Sequence, residues 1–388
     1  MKYDFDKVVN RRGTNSVKWD IFKEKDVIPL WVADMDFAVA PAITEALKKR
    51  VEHPVWGYTL VPQSYYDAVI SWFHRRHQWD IKKDWIIYTS GVVPALSATI
   101  KALTLPGEKV LIQTPAYNCF FSSIINQGCQ VLENELVRDG DTYKIDFDDF
   151  EKKAADEKTT VFVLCNPHNP AGRVWTKEEL SRMYDICKKH NVKVVADEIH
   201  CELIMPGYHY TPFASISDEI QDNAVVLNSP SKNFNIAGLQ IANIICKNDD
   251  IRRRIDRVVN IFEICDVNPL GVIALQAAYN DSEEWLDELN EYLWGNYQYM
   301  KERLQKELPQ LEVLKLEGTY LAWIDITKLG MTSDEACQKL LHEGHVYLNS
   351  GTMYGKKTGE GYLRINLACA RETLKTGIDR MVKVLAKK

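Results

Sequence analysis

The stretch Val225-Val-Leu-Asn-Ser-Pro-Ser-Lys232 passes from an apolar run into a polar loop that ends in a lysine. A short apolar run bounded by turn residues is typical of a buried strand in a parallel sheet. A lysine just beyond such a strand can project into a cleft, where a dry setting lowers the pKa of its amine and makes the amine nucleophilic. Most loops of this composition carry a solvated lysine, so the interpretation depends on what other strands bring to the same edge.

Four earlier apolar runs also end at residues that commonly bind ligands. We predict strands at residues 85–88, 109–113, 160–165, 192–196 and 224–228, with one more at 241–245. The first five are followed in turn by Gly91, Tyr117, Asn169, Asp197 and Lys232. Helices are predicted between them, including one that opens with a capping box of Thr176 and Glu179. This alternation predicts an α/β fold with a mostly parallel sheet, helices on both faces and a ligand site at the carboxyl ends of the strands.

The pattern changes toward the carboxyl end of the chain. A long helix is predicted from about residue 281, with Asp281 as its N-cap, followed by strands at 320–325 and 361–366 and helices at 332–343 and 371–386. We therefore predict an N-terminal segment (1–44) that is part of a small domain, a large domain (45–280) and a C-terminal small α+β domain (281–388).

Composition limits the classes of function. The chain has 388 residues, a net charge of −6 and no extended basic cluster, so nucleic acid is an unlikely partner. No apolar run is long enough to span a membrane, and the first residues lack the apolar core of a signal peptide. We expect a cytoplasmic protein.

Metal binding is not expected from the sequence. The nine cysteines include no Cys-x-x-Cys pair, which argues against a disulfide framework and a structural zinc site. Asp34 and Asp36 have no histidine beside them and are interpreted as part of a surface segment pinned by Trp31 and Phe37. A metal at Asp197, Glu198 and His200 would need further ligands, which the neighbouring sequence does not offer.

The residues at the strand ends suit a phosphorylated aromatic aldehyde cofactor. Lys232 supplies an amine for an imine, and Asp197 a carboxylate for the ring nitrogen. The start of a helix at Gly91-Val92-Val93 offers backbone N–H groups to a phosphate, with Ser229 and Ser231 as further donors. Tyr117 can lie against the ring and Asn169 can bind its phenolate oxygen, although a core tyrosine and a turn asparagine explain the same two residues.

Four motifs carry a resemblance to a known family. Asn166-Pro-His-Asn-Pro-Ala-Gly172, Ala196-Asp-Glu-Ile-His200, Ser229-Pro-Ser-Lys232 and Leu363-Arg-Ile-Asn366 resemble the fold-type I pyridoxal phosphate enzymes, the class I/II aminotransferase superfamily. Within that group, Trp31-Val-Ala-Asp-Met-Asp-Phe37 and Arg364-Ile-Asn-Leu-Ala368 resemble the MalY/PatB class of C–S β-lyases, which are cystathionine β-lyase-like. The likeness covers nearly the whole chain and implies a three-layer, aspartate aminotransferase-like large domain.

The resemblance also implies roles for single residues. Lys232 matches the lysine that forms a Schiff base with pyridoxal 5'-phosphate, and Asp197 the carboxylate on the ring nitrogen. Tyr117 matches the stacking tyrosine, Asn169 the residue bonded to the phenolate oxygen, and His200 stands where aminotransferases usually have a tyrosine.

Substrate and partner roles follow from the same resemblance. Arg364 matches the arginine that binds the substrate α-carboxylate, and Ala33 lies in the N-terminal segment that would contact the substrate. Tyr58 matches a tyrosine that reaches the cofactor phosphate of a neighbouring subunit, which implies a homodimer with a shared active site. Tyr117 and Tyr58 are also candidates for proton transfer.

The implied reaction is α,β-elimination from cystathionine or a related cysteine S-conjugate, giving a thiol, pyruvate and ammonia. Two features depart from the aminotransferase pattern: Gln240 follows Gly238-Leu239 where an arginine commonly binds phosphate, and Asn118 follows Tyr117 where some lyases have a second aromatic residue. An aminotransferase of the same fold stays open as an alternative, as does a non-catalytic regulatory protein.

Overall fold

Two sheets organise the chain, a large one before residue 250 and a small one after residue 310. The computed structural model describes residues 1–22 and 26–386. Its strands are β1 (Ile28–Pro29), β2 (Ile86–Thr89), β3 (Lys109–Thr114), β4 (Gln130–Glu135), β5 (Val137–Asp139), β6 (Thr142–Lys144), β7 (Thr159–Cys165), β8 (Lys193–Asp197), β9 (Ala224–Asn228), β10 (Ala242–Ile245), β11 (Glu312–Val313), β12 (Leu321–Asp325), β13 (Val346–Tyr347), β14 (Asn349–Ser350) and β15 (Tyr362–Asn366).

Helices connect most of these strands. They are α1 (Val17–Asp20), α2 (Pro41–Val51), α3 (Gln63–His77), α4 (Val92–Leu103), α5 (Asn118–Asn126), α6 (Phe147–Ala154), α7 (Lys177–Lys189), α8 (Asp218–Gln221), α9 (Asp249–Ile261), α10 (Pro269–Asp281), α11 (Glu283–Glu307), α12 (Ser333–Gly344) and α13 (Arg371–Leu385).

The large sheet has the strand order β2-β10-β9-β8-β7-β3-β4. The pairs from β9 through β4 are parallel, whereas β10 is antiparallel to both β9 and β2. Since β10 is reversed against both of its neighbours, β2 and β9 point the same way. The carboxyl ends of β2, β3, β7, β8 and β9 therefore lie at one edge of the sheet, as the sequence predicts.

Alternate residues of the central strands point to opposite faces of the large sheet. In β9, Val225 and Leu227 belong to an apolar cluster with residues of α4, α5 and α9, while Val226 belongs to the cluster that includes residues of α3, α6 and α10. Both faces are buried by helices, so the strands contain near-continuous apolar runs. This is the three-layer α/β arrangement expected of the fold.

Most predicted elements are confirmed to within two or three residues, but some predictions are wrong. Thr176 and Glu179 form the expected capping box. Asp281 is not an N-cap, because α10 continues to that residue and Ser282 precedes α11. The strand β4 and the helices α9 and α10 were not predicted. The strand β4 lies at the edge of the sheet, and only two of its six residues are apolar, so its sequence carries little strand signal.

The small sheet has the strand order β11-β12-β15-β14. The N-terminal segment is held beside this sheet by two sets of contacts. The strand β1 pairs with β13, and the buried side chain of Asn366 at the end of β15 donates to Val32 O at 2.6 Å and to Asp34 O at 2.7 Å. The N-terminal segment is thereby fixed beside the carboxyl edge of the large sheet. Among the described residues, no helix is both long and apolar enough to cross a bilayer.

The bonds of Asn366 predict a measurable loss of stability. Asn366→Ala removes one donor from each of these two carbonyls and leaves the buried N–H of Ala368 without its acceptor, so we expect the free energy of unfolding to fall by about 2–4 kcal/mol. The midpoint of urea unfolding measures this change. Asn260→Ala is the matched control, because Asn260 is exposed on α9 and bonds only within its own helix. An equal shift for both variants would contradict the role given to Asn366.

Candidate active site

A cavity of about 270 Å³ lies at the carboxyl edge of the large sheet. Its wall contains ten of the residues singled out from the sequence: Ala33, Gly91, Val92, Val93, Tyr117, Asn169, Asp197, His200, Ser231 and Lys232. These residues come from the loops after β2, β3, β7, β8 and β9, and from the N-terminal segment. The parallel direction of the strands brings them together although they are far apart in the chain.

Lys232 faces the cavity from the loop after β9. Its Nζ donates to Ala33 O at 2.7 Å. Burial lowers the pKa of the Lys232 amine, while the nearby carboxylates of Asp34 and Asp197 oppose that change. A lowered pKa increases the fraction of neutral amine, which is the form that can act as a nucleophile or a base.

Asp197 ends β8 and is buried in the same cavity. Burial raises the pKa of its carboxyl to about 6, although Ile199 N donates to Oδ1 at 3.1 Å. Its neighbour Glu198 points elsewhere: its carboxyl accepts from Phe213 N at 2.8 Å and from Tyr210 Oη. Glu198 is thus used inside the protein, and only Asp197 offers an acid to a ligand here.

One end of the cavity suits an anion. Ser90 through Val93 line it where α4 begins, and the first N–H groups of a helix have no partner inside the helix. The N–H of Gly91 itself bonds to Thr89 Oγ1 at 3.2 Å, so the free donors lie further along.

The two serines of the lysine loop differ. Ser231 lines the cavity at its anion end. Ser229 does not, because its hydroxyl donates to Ile241 O at 2.6 Å and accepts from Ser231 N at 3.0 Å. This geometry favours a role for Ser229 in shaping the loop over the predicted contact with a phosphate. Gln240, which stands where aminotransferases commonly have a phosphate-binding arginine, also lines the cavity.

The cavity wall also carries an unpartnered histidine. His200 is buried, and its Nδ1 has no hydrogen-bond partner within the described protein. Burial, with Lys232 and Arg364 nearby, lowers the pKa of His200 to about 3, so its imidazole is neutral at working pH. Such a group is expected to bond a ligand, because unpaired buried polar atoms are costly.

Arg364, on β15, lies behind Asn169. Its Nη1 donates to Asn169 Oδ1 at 3.1 Å and its Nη2 to Trp31 O at 2.8 Å, while its buried Nε has no partner within the described protein. Its guanidinium lies over the ring of Tyr354 with 4.7 Å to the centroid. Arg364 does not line the cavity itself, but it is oriented by residues that surround it.

The N-terminal segment forms part of the wall of the site. The interpretation of Asp34 and Asp36 as part of a surface segment is therefore wrong. Asp36 is buried, and Arg11 bonds Asp34 at 2.6 Å and Asp36 at 2.7 Å, while Lys18 Nζ lies 2.9 Å from Asp36 Oδ2. The side chain of Asn235, just after the lysine loop, bonds Met35 and Phe37. The two acids are thus paired with cations, which explains their presence without a metal.

Tyr58 does not line the cavity. It lies in an extended segment between α2 and α3 and is 98 % exposed in the single chain. Its contact with a second subunit stays a prediction.

Two contributing tyrosines were missed in the sequence. Tyr320 Oη donates to Ala33 O at 3.0 Å, the carbonyl that also accepts from Lys232, and its ring lies 6.0 Å from that of His200. Tyr354 lies under the Arg364 guanidinium. Both follow apolar or glycine-rich stretches typical of core residues, and no local pattern distinguishes them.

The donor set fits pyridoxal phosphate. A buried carboxyl, a half-buried amine, an unpartnered imidazole and a helix N-terminus line one cavity, with Tyr117 beside them. Asp197 would hold the ring nitrogen, Lys232 the aldehyde carbon, and the start of α4 with Ser231 the phosphate.

Comparisons with known proteins agree with this geometry. The model of the family described as aminotransferase class I and II matches residues 25–381. The chain is 41% identical to cystathionine beta-lyase PatB of Bacillus subtilis (strain 168), covering 99% of this chain and 100% of the relative.

Solved structures give the same picture. Cystalysin from Treponema denticola, which contains a pyridoxal 5'-phosphate cofactor, superposes with a TM-score of 0.96 at 38% identity, covering 100% of this chain and 99% of that one. The pyridoxal phosphate-bound C–S lyase from Staphylococcus hominis superposes with a TM-score of 0.93 at 33% identity, and each chain is covered completely, at 100%.

The raised pKa of Asp197 predicts a pH-dependent cost to the cofactor-free protein. Between about pH 4 and pH 6 the folded chain keeps a proton on Asp197 that the unfolded chain has lost, so this group's effect on stability becomes unfavourable as the pH rises. Asp197→Asn removes the effect. We expect the cofactor-free variant to be about 2–3 kcal/mol more stable than wild type at pH 7, and equally stable at about pH 4.

Urea unfolding of both cofactor-free proteins across this pH range measures the difference. Glu198, whose pKa burial raises to about 8, is present in both proteins, and the charge of Asp197 is the smallest of the causes that shift that pKa. A variant less stable than wild type at pH 7 would show that Asp197 is favourably ionised without a ligand.

Proposed function

This chain belongs to the aminotransferase class I and II family, and on that premise we propose that it is a pyridoxal phosphate-dependent C–S β-lyase. It cleaves cystathionine or a related cysteine S-conjugate to a thiol, pyruvate and ammonia. The observation that carries the proposal is that Lys232 and Asp197 line one cavity together with the unpartnered His200. The 41% identity to a cystathionine β-lyase over the full chain supports the reaction type.

Substrate binding is assigned to Arg364. Its guanidinium has an unpartnered Nε, and Asn169 and Trp31 O fix the plane of the other two nitrogens. A planar fork held this way suits a carboxylate, which it can bind through two parallel hydrogen bonds. The neighbouring Tyr354 ring faces the charge and excludes water from that side.

Lys232 is the base that removes the α-proton of the bound amino acid. Its burial lowers the pKa of the amine, so a larger fraction of the amine is neutral than in an exposed lysine. The Ala33 carbonyl, which also accepts from Tyr320, orients that amine. When bound, pyridoxal phosphate supplies an electron sink that stabilises the negative charge left at Cα.

Loss of the thiolate from Cβ completes the elimination, and one water converts the remaining fragment to pyruvate and ammonia. Tyr117 lies at the cavity with a pKa raised by burial, so its hydroxyl stays protonated and can donate to a leaving group. His200 stays neutral because of its lowered pKa and can bond the cofactor's phenolate oxygen without adding a charge.

A homodimer with a shared site is part of the proposal. Residues 51–60 expose apolar side chains that a single chain leaves without cover: Val51, Val55, Trp56, Tyr58 and Leu60. A contiguous exposed apolar segment of this kind is typical of a protein interface. We assign Tyr58 to the phosphate of the partner subunit's cofactor. The cytoplasmic location stays a prediction.

The reaction type is tested with cystathionine and no keto acid acceptor. Because the amino group is lost as ammonia, we expect pyruvate and thiol to appear in equal amounts. Lys232→Ala removes the base and should lower the rate about 10³-fold or more. Lys101→Ala, an exposed lysine on α4, is the matched control with unchanged activity. Turnover that requires a keto acid would instead identify an aminotransferase, and no turnover in either assay would favour a non-catalytic role.

The shared site is tested by mixing two inactive or impaired variants. Lys232→Ala and Tyr58→Ala damage the same site from different subunits, so a mixed dimer contains one intact site. Random exchange of subunits should restore about a quarter of wild-type activity. Lys232→Ala mixed with Asp197→Asn is the control, because both residues come from one subunit and no intact site forms. Equal results from the two mixtures would place Tyr58 outside the partner's site.

A further inference from the structure

A second group of ligand-type side chains lies next to the turn that carries Asp197 and His200. It consists of His77 at the end of α3 and Cys201 and Glu202 just after that turn. The imidazole, thiol and carboxylate ligand atoms all lie within 4.8 Å of one another. Cys201 and Glu202 are buried, and the proposed reaction uses none of the three.

One spacing of these atoms matches that of a tetrahedral zinc site, and a second is a hydrogen bond that zinc binding would lengthen. His77 Nε2 lies 2.7 Å from Glu202 Oε1, and Cys201 Sγ lies 3.7 Å from the same oxygen. Zinc bonds of about 2.0–2.3 Å place neighbouring ligand atoms about 3.3–3.7 Å apart. Small shifts of the side chains therefore bring all three groups onto one ion.

The surroundings already support such a set of ligands. Asn228 Nδ2 donates to Cys201 Sγ at 3.2 Å, and Trp72 Nε1 donates to Glu202 Oε1 at 2.7 Å. Hydrogen bonds of this kind hold the ligands of a metal site in orientation. Zinc accepts imidazole, thiolate and carboxylate ligands together.

The cluster opens onto a cavity of about 460 Å³ that is rich in acids. Four carboxylates, those of Glu202, Glu283, Asp287 and Glu291, face the two arginines Arg75 and Arg76 in its wall. Arg76 lies 3.6 Å from Glu202 Oε2, but its charge is also paired with Asp287 at 2.9 Å and Glu283 at 3.2 Å. Oε1 of Glu202, which bonds Trp72 and His77, lies on the side of Cys201, and the surplus of acids in the cavity wall favours a cation.

We propose that His77, Cys201 and Glu202 bind one Zn²⁺ ion, with a water molecule from the adjoining cavity as fourth ligand. Binding releases the thiol proton of Cys201 to water, since the thiolate is the ligand. The ion ties the end of α3 to the turn after β8. The site is separate from the pyridoxal phosphate cavity, although His200 lies directly before Cys201 in the chain.

Zinc titration of the chelator-treated holoenzyme tests the proposal. A chromophoric chelator competing for Zn²⁺ should report one tight site per chain in wild type. Loss of one ligand should weaken that site about a hundredfold or more in Cys201→Ser and in His77→Gln. Cys129→Ser is the matched control, because Cys129 is also buried but bonds Thr104, outside the cluster.

X-ray absorption at the zinc edge gives a result that does not depend on how the variants fold. The wild-type holoenzyme with one equivalent of Zn²⁺ should show one sulfur ligand among nitrogen and oxygen ligands. A first shell without sulfur would overturn the proposal, as would wild-type binding no tighter than that of Cys201→Ser. Either result would leave Glu202 paired with His77 and Arg76 and without a metal ion.

Discussion

The common edge at which β2, β3, β7, β8 and β9 end is the constraint on which the rest of the structure depends. Parallel strands place their carboxyl ends side by side, so one short loop from each strand reaches the same small volume. Helices on both faces bury the strands, and Asp197 and His200 at this edge are buried as well. In that setting a lysine loses part of its basicity and an aspartate part of its acidity, which are the two changes that the chemistry uses.

The site also depends on the N-terminal segment, which forms part of the wall of its cavity. Ion pairs from Arg11 and Lys18 neutralise Asp34 and Asp36, while Asn235 and Asn366 bind backbone groups of the segment from two sides. These contacts place the Ala33 carbonyl where Lys232 and Tyr320 both donate to it. The segment therefore orients the Lys232 amine although it belongs to no large element of secondary structure.

Prediction from the sequence succeeded where a local pattern carried the information. The strand ends at Tyr117, Asn169, Asp197 and Lys232 were found because apolar runs stop abruptly at them, and the capping box of α7 because its spacing is specific. The reading of Asp34 and Asp36 as a surface segment failed because their partners, Arg11 and Lys18, come from a stretch without a pattern. Ser229 was misjudged because a hydroxyl in a loop can bond either a ligand or its own backbone.

The sequence by itself determined the fold class, the type of reaction and the candidates for most of the site. Hydrophobic periodicity and the order of the motifs can both be read along the chain without knowledge of its packing. Tertiary structure alone decided the roles of Tyr320 and Tyr354, the pairing of Arg364 with Asn169, and the approach of His77 to Cys201 and Glu202. Each of these is a contact between residues distant in the chain. Such contacts depend on how helices and strands pack, and no spacing along the chain records that packing.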